Sequence, residues 1–153
     1  MTASDPHVLG PGLLPTPFTA EEIRASTGAG KTIRIRVEGP DGVTSERINR
    51  FMDPDAEGAT LERWSRPDRG DLSSDRVTWV ELQQHAAFDA ETTTLTTETL
   101  SHSLGELACL RYETPDATFW FSPQHPGMPV RYESDGVVTT VVSIERTNVG
   151  PPA

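Results

Sequence analysis

Three runs of alternating side chains between Gly105 and Arg146 constrain this chain more than any other stretch. In Glu106 to Thr114, Leu107, Cys109 and Arg111 fall on one face while Ala108, Leu110 and Tyr112 fall on the other, as a period of two demands. Thr118 to Ser122 follows, and Met128 to Arg146 is broken by a turn at Ser134-Asp135-Gly136. Asp-Gly readily supplies the positive φ of a tight hairpin, so Val130 to Glu133 folds back onto the last run. In that run Val138, Thr140, Val142 and Ile144 oppose Val137, Thr139, Val141 and Ser143, a strand coverable on both sides. The outcome is an antiparallel meander, which is stable only when something packs on its apolar face.

The residues that carry this rhythm are Leu104-Gly105-Glu106-Leu107-Ala108-Cys109-Leu110-Arg111-Tyr112, Phe119-Trp120-Phe121-Ser122-Pro123 and Gly127-Met128-Pro129-Val130-Arg131-Tyr132. The pattern resembles the C-terminal meander of half-barrel proteins related to the bacterial lipoprotein-localisation factors, and is similar to other bacterial domains of that shape. The resemblance covers the last third of the chain and extends further only by strand count. It implies a strongly curved antiparallel sheet around one or more helices, with a hydrophobic concavity that in some members holds an acyl chain.

Earlier in the chain, two helix starts share one grammar. Phe18-Thr19-Ala20-Glu21-Glu22-Ile23 and Val77-Thr78-Trp79-Val80-Glu81-Leu82 each place a capping threonine, a glutamate three residues on, and an apolar pair at N′ and N4. The first helix is expected to run to about Ser26 and stop at Gly28. The second is expected to reach about Ala87, with Trp79, Leu82 and Ala86 on the face the sheet curls around. Lys31 to Glu38 is the cleanest strand, with Ile33, Ile35 and Val37 inward. Residues 45–52 and 60–66 form two more across a turn at 53–58, with Trp64 as an anchor. Arg66 to Asp75 reads as a charged loop, and Thr92 to Ser103 as an exposed, Thr-rich strand.

The chain of 153 residues is the length of one domain. The expected architecture is α+β: a strongly curved antiparallel sheet of six to eight strands, a half-barrel, packed on one or two helices. It occupies residues 16–147, between an extended Pro/Gly-rich tail at 1–15 that lays Leu13 and Leu14 on the body and a short tail at 148–153. Mean hydropathy is −0.44, yet the apolar residues recur in patterned runs, so the chain folds. A net charge of −10 argues against a nucleic-acid partner and against an anionic membrane surface. No apolar run approaches the ~20 residues of a membrane span. Met-Thr-Ala-Ser-Asp-Pro-His has neither the basic nor the apolar region of an export signal, so the cytoplasm is the expected compartment. With Cys109 alone no intramolecular disulfide forms. Lys31 is the single lysine, which reads as compositional bias.

Four motifs invite chemistry and each has a plainer explanation. Ala25-Ser26-Thr27-Gly28-Ala29-Gly30-Lys31-Thr32 matches a relaxed phosphate-binding loop with Ala for the first Gly. Such a loop needs a strand before it and a helix beginning at the Lys-Thr, and here the order is inverted, so a helix end and turn are expected. Asp53-Pro54-Asp55-Ala56-Glu57-Gly58 begins like a calcium loop, but Trp64 stands where the bidentate Glu belongs. Arg69-Gly70-Asp71 is assigned to a loop. Cys109, between Ala108 and Leu110, reads as a buried, inert thiol, and the histidines show no metal-ligand spacing, with His85 and His102 expected at the surface. No catalytic residue, metal or cofactor is therefore assigned.

What remains is binding. The half-barrel resemblance together with Trp79, Phe88, Phe119, Trp120, Phe121 and Tyr132 points to a non-enzymatic module whose concavity takes an apolar or lipid-like small molecule. His125 and Met128, in the stiff loop Ser122 to Pro129, would rim its mouth. The alternative is a protein-interaction or structural module with a filled core, which uses a sheet edge or the proline-rich loop. The pattern specifies no oligomeric state.

Overall fold

The computed structural model describes residues 5–66 and 70–146. Both capping boxes form as their spacing requires. Thr19 Oγ1 accepts from Glu22 N–H and the Glu22 carboxylate accepts from Thr19 N–H, which starts α1 at Ala20–Thr27. Thr78 and Glu81 repeat the exchange for α2 at Trp79–Gln84. Each such cap contributes about 1 kcal/mol. The staple residues Phe18 and Ile23 are both 1% exposed, fixing the angle at which α1 enters the core.

Among the described residues nine strands follow one another: β1 (Lys31–Glu38), β2 (Thr44–Met52), β3 (Gly58–Arg66), β4 (Ser73–Thr78), β5 (Thr94–His102), β6 (Gly105–Glu113), β7 (Ala117–Phe121), β8 (Arg131–Ser134) and β9 (Val137–Arg146). They form one antiparallel sheet in the order β4-β3-β2-β1-β9-β8-β7-β6-β5, which does not close on itself. Two meanders, β1 to β4 and β5 to β9, are joined where β9 pairs with β1. Asp135 and Gly136 both have positive φ, 53° and 78°, giving the β8–β9 hairpin the tight turn expected of Asp-Gly.

The strand count exceeds the six to eight expected because β4 lies within and beyond the segment read as a charged loop. Ser73, Ser74, Asp75 and Arg76 are all exposed, so this edge strand carries no alternation of burial by which to recognise it. Helix α2 is shorter than expected. After Gln84 the chain tightens, with Ala86 N–H donating to Gln83 O and Ala87 N–H to Gln84 O, and Leu13 then bridges Asp89 and draws the backbone into an extended course.

Both helices pack on one face of the sheet. Phe18 and Ile23 from α1 and its entry, Trp79, Leu82 and Ala86 from α2, and Ile33, Ile35, Phe51, Leu61, Tyr112, Phe121 and Val141 from the strands form the main core. A large side chain buried there contributes roughly 1.5–3 kcal/mol. The extended segment before α1 is tied to this layer: Leu14 N–H donates to Phe88 O and Tyr112 Oη to Pro15 O. Gln83, 3% exposed, holds the junction by accepting from Ala20 N–H and donating to Thr16 Oγ1 and Pro6 O. A second, smaller core of Leu107, Cys109, Trp120 and Val130 lies apart, on the opposite face of the sheet.

Candidate functional site

On the helix-bearing face the aromatic side chains of β6, β7 and β8 meet. Tyr112 is opposite Phe119 and Phe119 opposite Tyr132 in the register, so all three share one face. Phe88, delivered by the turn after α2, lies 5.0 Å from both Tyr112 and Phe119 between ring centroids. Phe119 stacks on Tyr132 at 5.2 Å with their planes 6° apart, and Phe121 closes the group against Tyr112 at 5.5 Å, edge to face. Tyr112 and Phe121 are buried, whereas Phe88, Phe119 and Tyr132 are half-buried. Burial pushes the Tyr112 phenol far above its ordinary range while its O–H donates to Pro15 O at 2.6 Å.

Of the eight residues expected to line or rim a concavity, the structure brings Phe88, Phe119, Phe121 and Tyr132 into this row. Trp79 is 3% exposed beneath α2, its indole N–H donating to Asp55 O at 2.9 Å. Trp120 is not among them. Strand alternation turns it to the opposite face, where the Arg111 and Arg131 guanidinium carbons stand 5.5 and 5.2 Å from its ring and its N–H is bound by the Glu98 carboxylate.

His125 and Met128 sit in the loop between β7 and β8, both half-buried. Met128 packs against the main core. His125 Nδ1 is buried with no hydrogen-bond partner among the described residues, and burial, then Arg146, Lys31 and His102, hold its imidazole below the usual range. This loop is anchored by Lys31, to which the sequence pattern assigns no role. Lys31 is 2% exposed, and its Nζ donates to Pro126 O at 2.9 Å and to Ser26 Oγ at 3.4 Å. Its ring neighbour is Phe51, at 5.9 Å. Burial, with Arg146 nearby, pulls the amine down to about 8. The signal was its parity: Lys31 leads the inward series Ile33, Ile35 and Val37.

The remaining motif residues have structural partners. Gly28 caps α1 with φ 56°, and Lys31 follows in a strand, so the phosphate-loop resemblance stops at its letters. Asp55 Oδ1 accepts from the N–H groups of Glu57 and Gly58, and these bonds, then Arg76, hold its carboxyl below the ordinary range. In Arg69-Gly70-Asp71, Arg69 lies outside the described residues, and Asp71 accepts from Ser65 N–H and Ser65 Oγ. Cys109 is buried in the smaller core, and burial, then Glu98, pushes its thiol up. His102 corrects the expectation of a surface histidine. It is half-buried, its Nδ1 accepts from Leu104 N–H, and its Nε2 is therefore the protonated nitrogen that meets Val130 O at 3.1 Å.

Open grooves lie at the periphery. One of about 590 Å³ runs between the helices, lined by Ala20, Arg24, Ala56, Trp79 and Val80. Another of about 390 Å³ lies along β5 and β6. No helix is long and apolar enough to cross a membrane among the described residues. No protein-family model matches the chain, and a search of curated proteins finds no relative.

Proposed function

We propose that this protein is a non-enzymatic interaction module of half-barrel type that meets a protein partner at its surface. The observation that supports this most is the filling of the helix-bearing face by the chain's own side chains: Phe18, Ile23, Ile33, Tyr112 and Val141 are each 1% exposed or less. Phe88, Phe119, Phe121 and Tyr132 pack on one another and on Tyr112, Trp79 is buried at the start of α2, and Trp120 fills the smaller core on the other face, while the open grooves are peripheral.

A second reading is favoured by one observation, the half-exposure of Phe88, Phe119 and Tyr132 at the end of the aromatic row. Those three rings offer an apolar small molecule a platform on the same face. Native mass spectrometry of detergent-free protein, followed by denaturing extraction, separates the two. The interaction module predicts the bare chain mass. A small molecule that co-purifies and is released on denaturation overturns it in favour of the aromatic platform.

A further inference from the structure

The two ends of the sheet are built differently. β4 is six residues long, carries Asp75 and Arg76, and runs directly into α2. Arg76 is knitted to its surroundings, donating to Asp53 O, Thr60 Oγ1 and Gly58 O and pairing with Asp55. β5 is nine residues long and, among the described residues, pairs only with β6, in a register that runs without a bulge from Thr94 opposite Glu113 to His102 opposite Gly105. It contains no Pro, Lys or Arg. Its one carboxylate, Glu98, is held by the Trp120 indole on the far face. Apart from this one inward-facing charge, β5 has no proline, basic residue or bulge to blunt its edge, and Thr94, Thr96, Thr97, Thr99 and Ser101 lie exposed along it.

Two further observations say what such an edge would receive. The groove of about 390 Å³ is lined by Thr97, Thr99, Ala108, Leu110 and Pro123. Thr97 is opposite Leu110 and Thr99 opposite Ala108, so these four share one face, and alternate side chains of an added strand would project over it. The surroundings are acidic: residues 89–116 carry Asp89, Glu91, Glu98, Glu106, Glu113 and Asp116 against Arg111, which itself faces Glu113 at 3.6 Å. A second copy of this chain adding through its own β5 would bring two such carboxylate-rich hairpins together.

We propose that β5 is a docking strand for an extended segment of a partner protein that alternates apolar and basic residues. It would add antiparallel or parallel to the free edge, place an apolar side chain in the groove beside Leu110 and Pro123, and set Lys or Arg among the carboxylates. This rests on the interaction-module reading above and names its partner chemistry.

The test uses the full chain and three synthetic undecapeptides: one alternating Val and Lys, one of the same composition with its valines in a single block, and one alternating Val and Glu. Fluorescence anisotropy is expected to show the alternating Val–Lys peptide binding about tenfold or more tighter than either control, since several opposite-charge pairs and the register both contribute. Hydrogen exchange is expected to show new protection at Thr94–His102. Ala108→Arg, at an exposed position in the groove, should weaken binding while leaving the thermal midpoint in place. Equal binding of the Val–Lys peptide and its block isomer, or protection elsewhere, overturns the proposal. Protection of β5 that depends on protein concentration without peptide overturns the partner and replaces it by a second copy. A small molecule found by native mass spectrometry would instead overturn the underlying reading, so the two failures are told apart.

Discussion

Lys31 Nζ donates to the carbonyl of Pro126 at 2.9 Å, so the only lysine of the chain fastens the proline-rich loop to the first strand. Among the described residues its amine meets Pro126 O, Ser26 Oγ and the Phe51 ring, and no carboxylate pairs with it. The charge is therefore tolerated rather than favoured. With a folded value of about 8 against roughly 10.4 in the unfolded chain, the unfolded state holds the proton more tightly. Stability is lowered by this amine at all pH values below about 8 and recovers as pH rises from there toward 10, by on the order of 3 kcal/mol. Urea titrations between pH 7 and 10 should show the rise, and Lys31→Met should flatten it and be neutral or stabilising at pH 7. A Lys31→Met midpoint below that of the parent at every pH would mean that the bond to Pro126 outweighs the buried charge.

Gly58 is irreplaceable for a reason unrelated to ion binding. A Cβ built there would stand 1.9 Å from Val77 O and 2.8 Å from Thr78 Cα, because β4 and the start of α2 press directly on it. Gly58→Ala is expected to cost about 3 kcal/mol, read as a lowered denaturation midpoint with an unchanged slope. An unshifted midpoint would show that the strands separate there without penalty.

Gln83→Met keeps the volume and removes the three hydrogen bonds that Gln83 makes at the junction of α1, α2 and the segment before α1. Ala20 N–H, Thr16 Oγ1 and Pro6 O each lose a partner. A loss of roughly 2–4 kcal/mol is expected, together with faster proteolysis before Phe18. Cleavage at the parental rate would mean that Leu14, Pro15 and their backbone bonds hold the segment alone.

Trp120→Phe keeps a ring between Arg111 and Arg131 but leaves the Glu98 carboxylate without its indole donor. The expected loss is about 1–2 kcal/mol, and that of Glu98→Gln smaller, since an amide oxygen still accepts. In a double-mutant cycle the two losses should fall short of adding, and strict additivity would show that the pair does not interact.

The parts of this fold that could be read from the chain are those that local chemistry decides. Thr19 with Glu22 and Thr78 with Glu81 define helix starts without tertiary help, and Asp135-Gly136 defines its turn. The alternation of Ile33, Ile35 and Val37 foretold their inward face, and Ile33 and Ile35 are 1% and 4% exposed. β4 was illegible because Ser73 to Arg76 face solvent throughout and form a strand only by pairing with β3. Trp120 was misplaced by composition overriding period: three consecutive aromatic residues cannot share a face of a strand, so Phe119 and Phe121 belong together and Trp120 opposite. The His102 contacts with Val130 and Leu104 arise where the β5–β6 hairpin tip reaches toward the chain before β8, which no local pattern encodes.

The seam between β1 and β9 has a consequence for where the chain tolerates being cut. Among the described residues seven of the eight ladders join strands adjacent in sequence, and the eighth pairs Lys31 with Arg146 and Glu38 with Val138. The first and last strands thus stand at the middle of the sheet, and its exposed margins are made from mid-chain hairpins. Trimming into either strand would part the sheet into two halves, whereas a break between Ala87 and Thr93 leaves each meander whole and free to find the other through that central ladder.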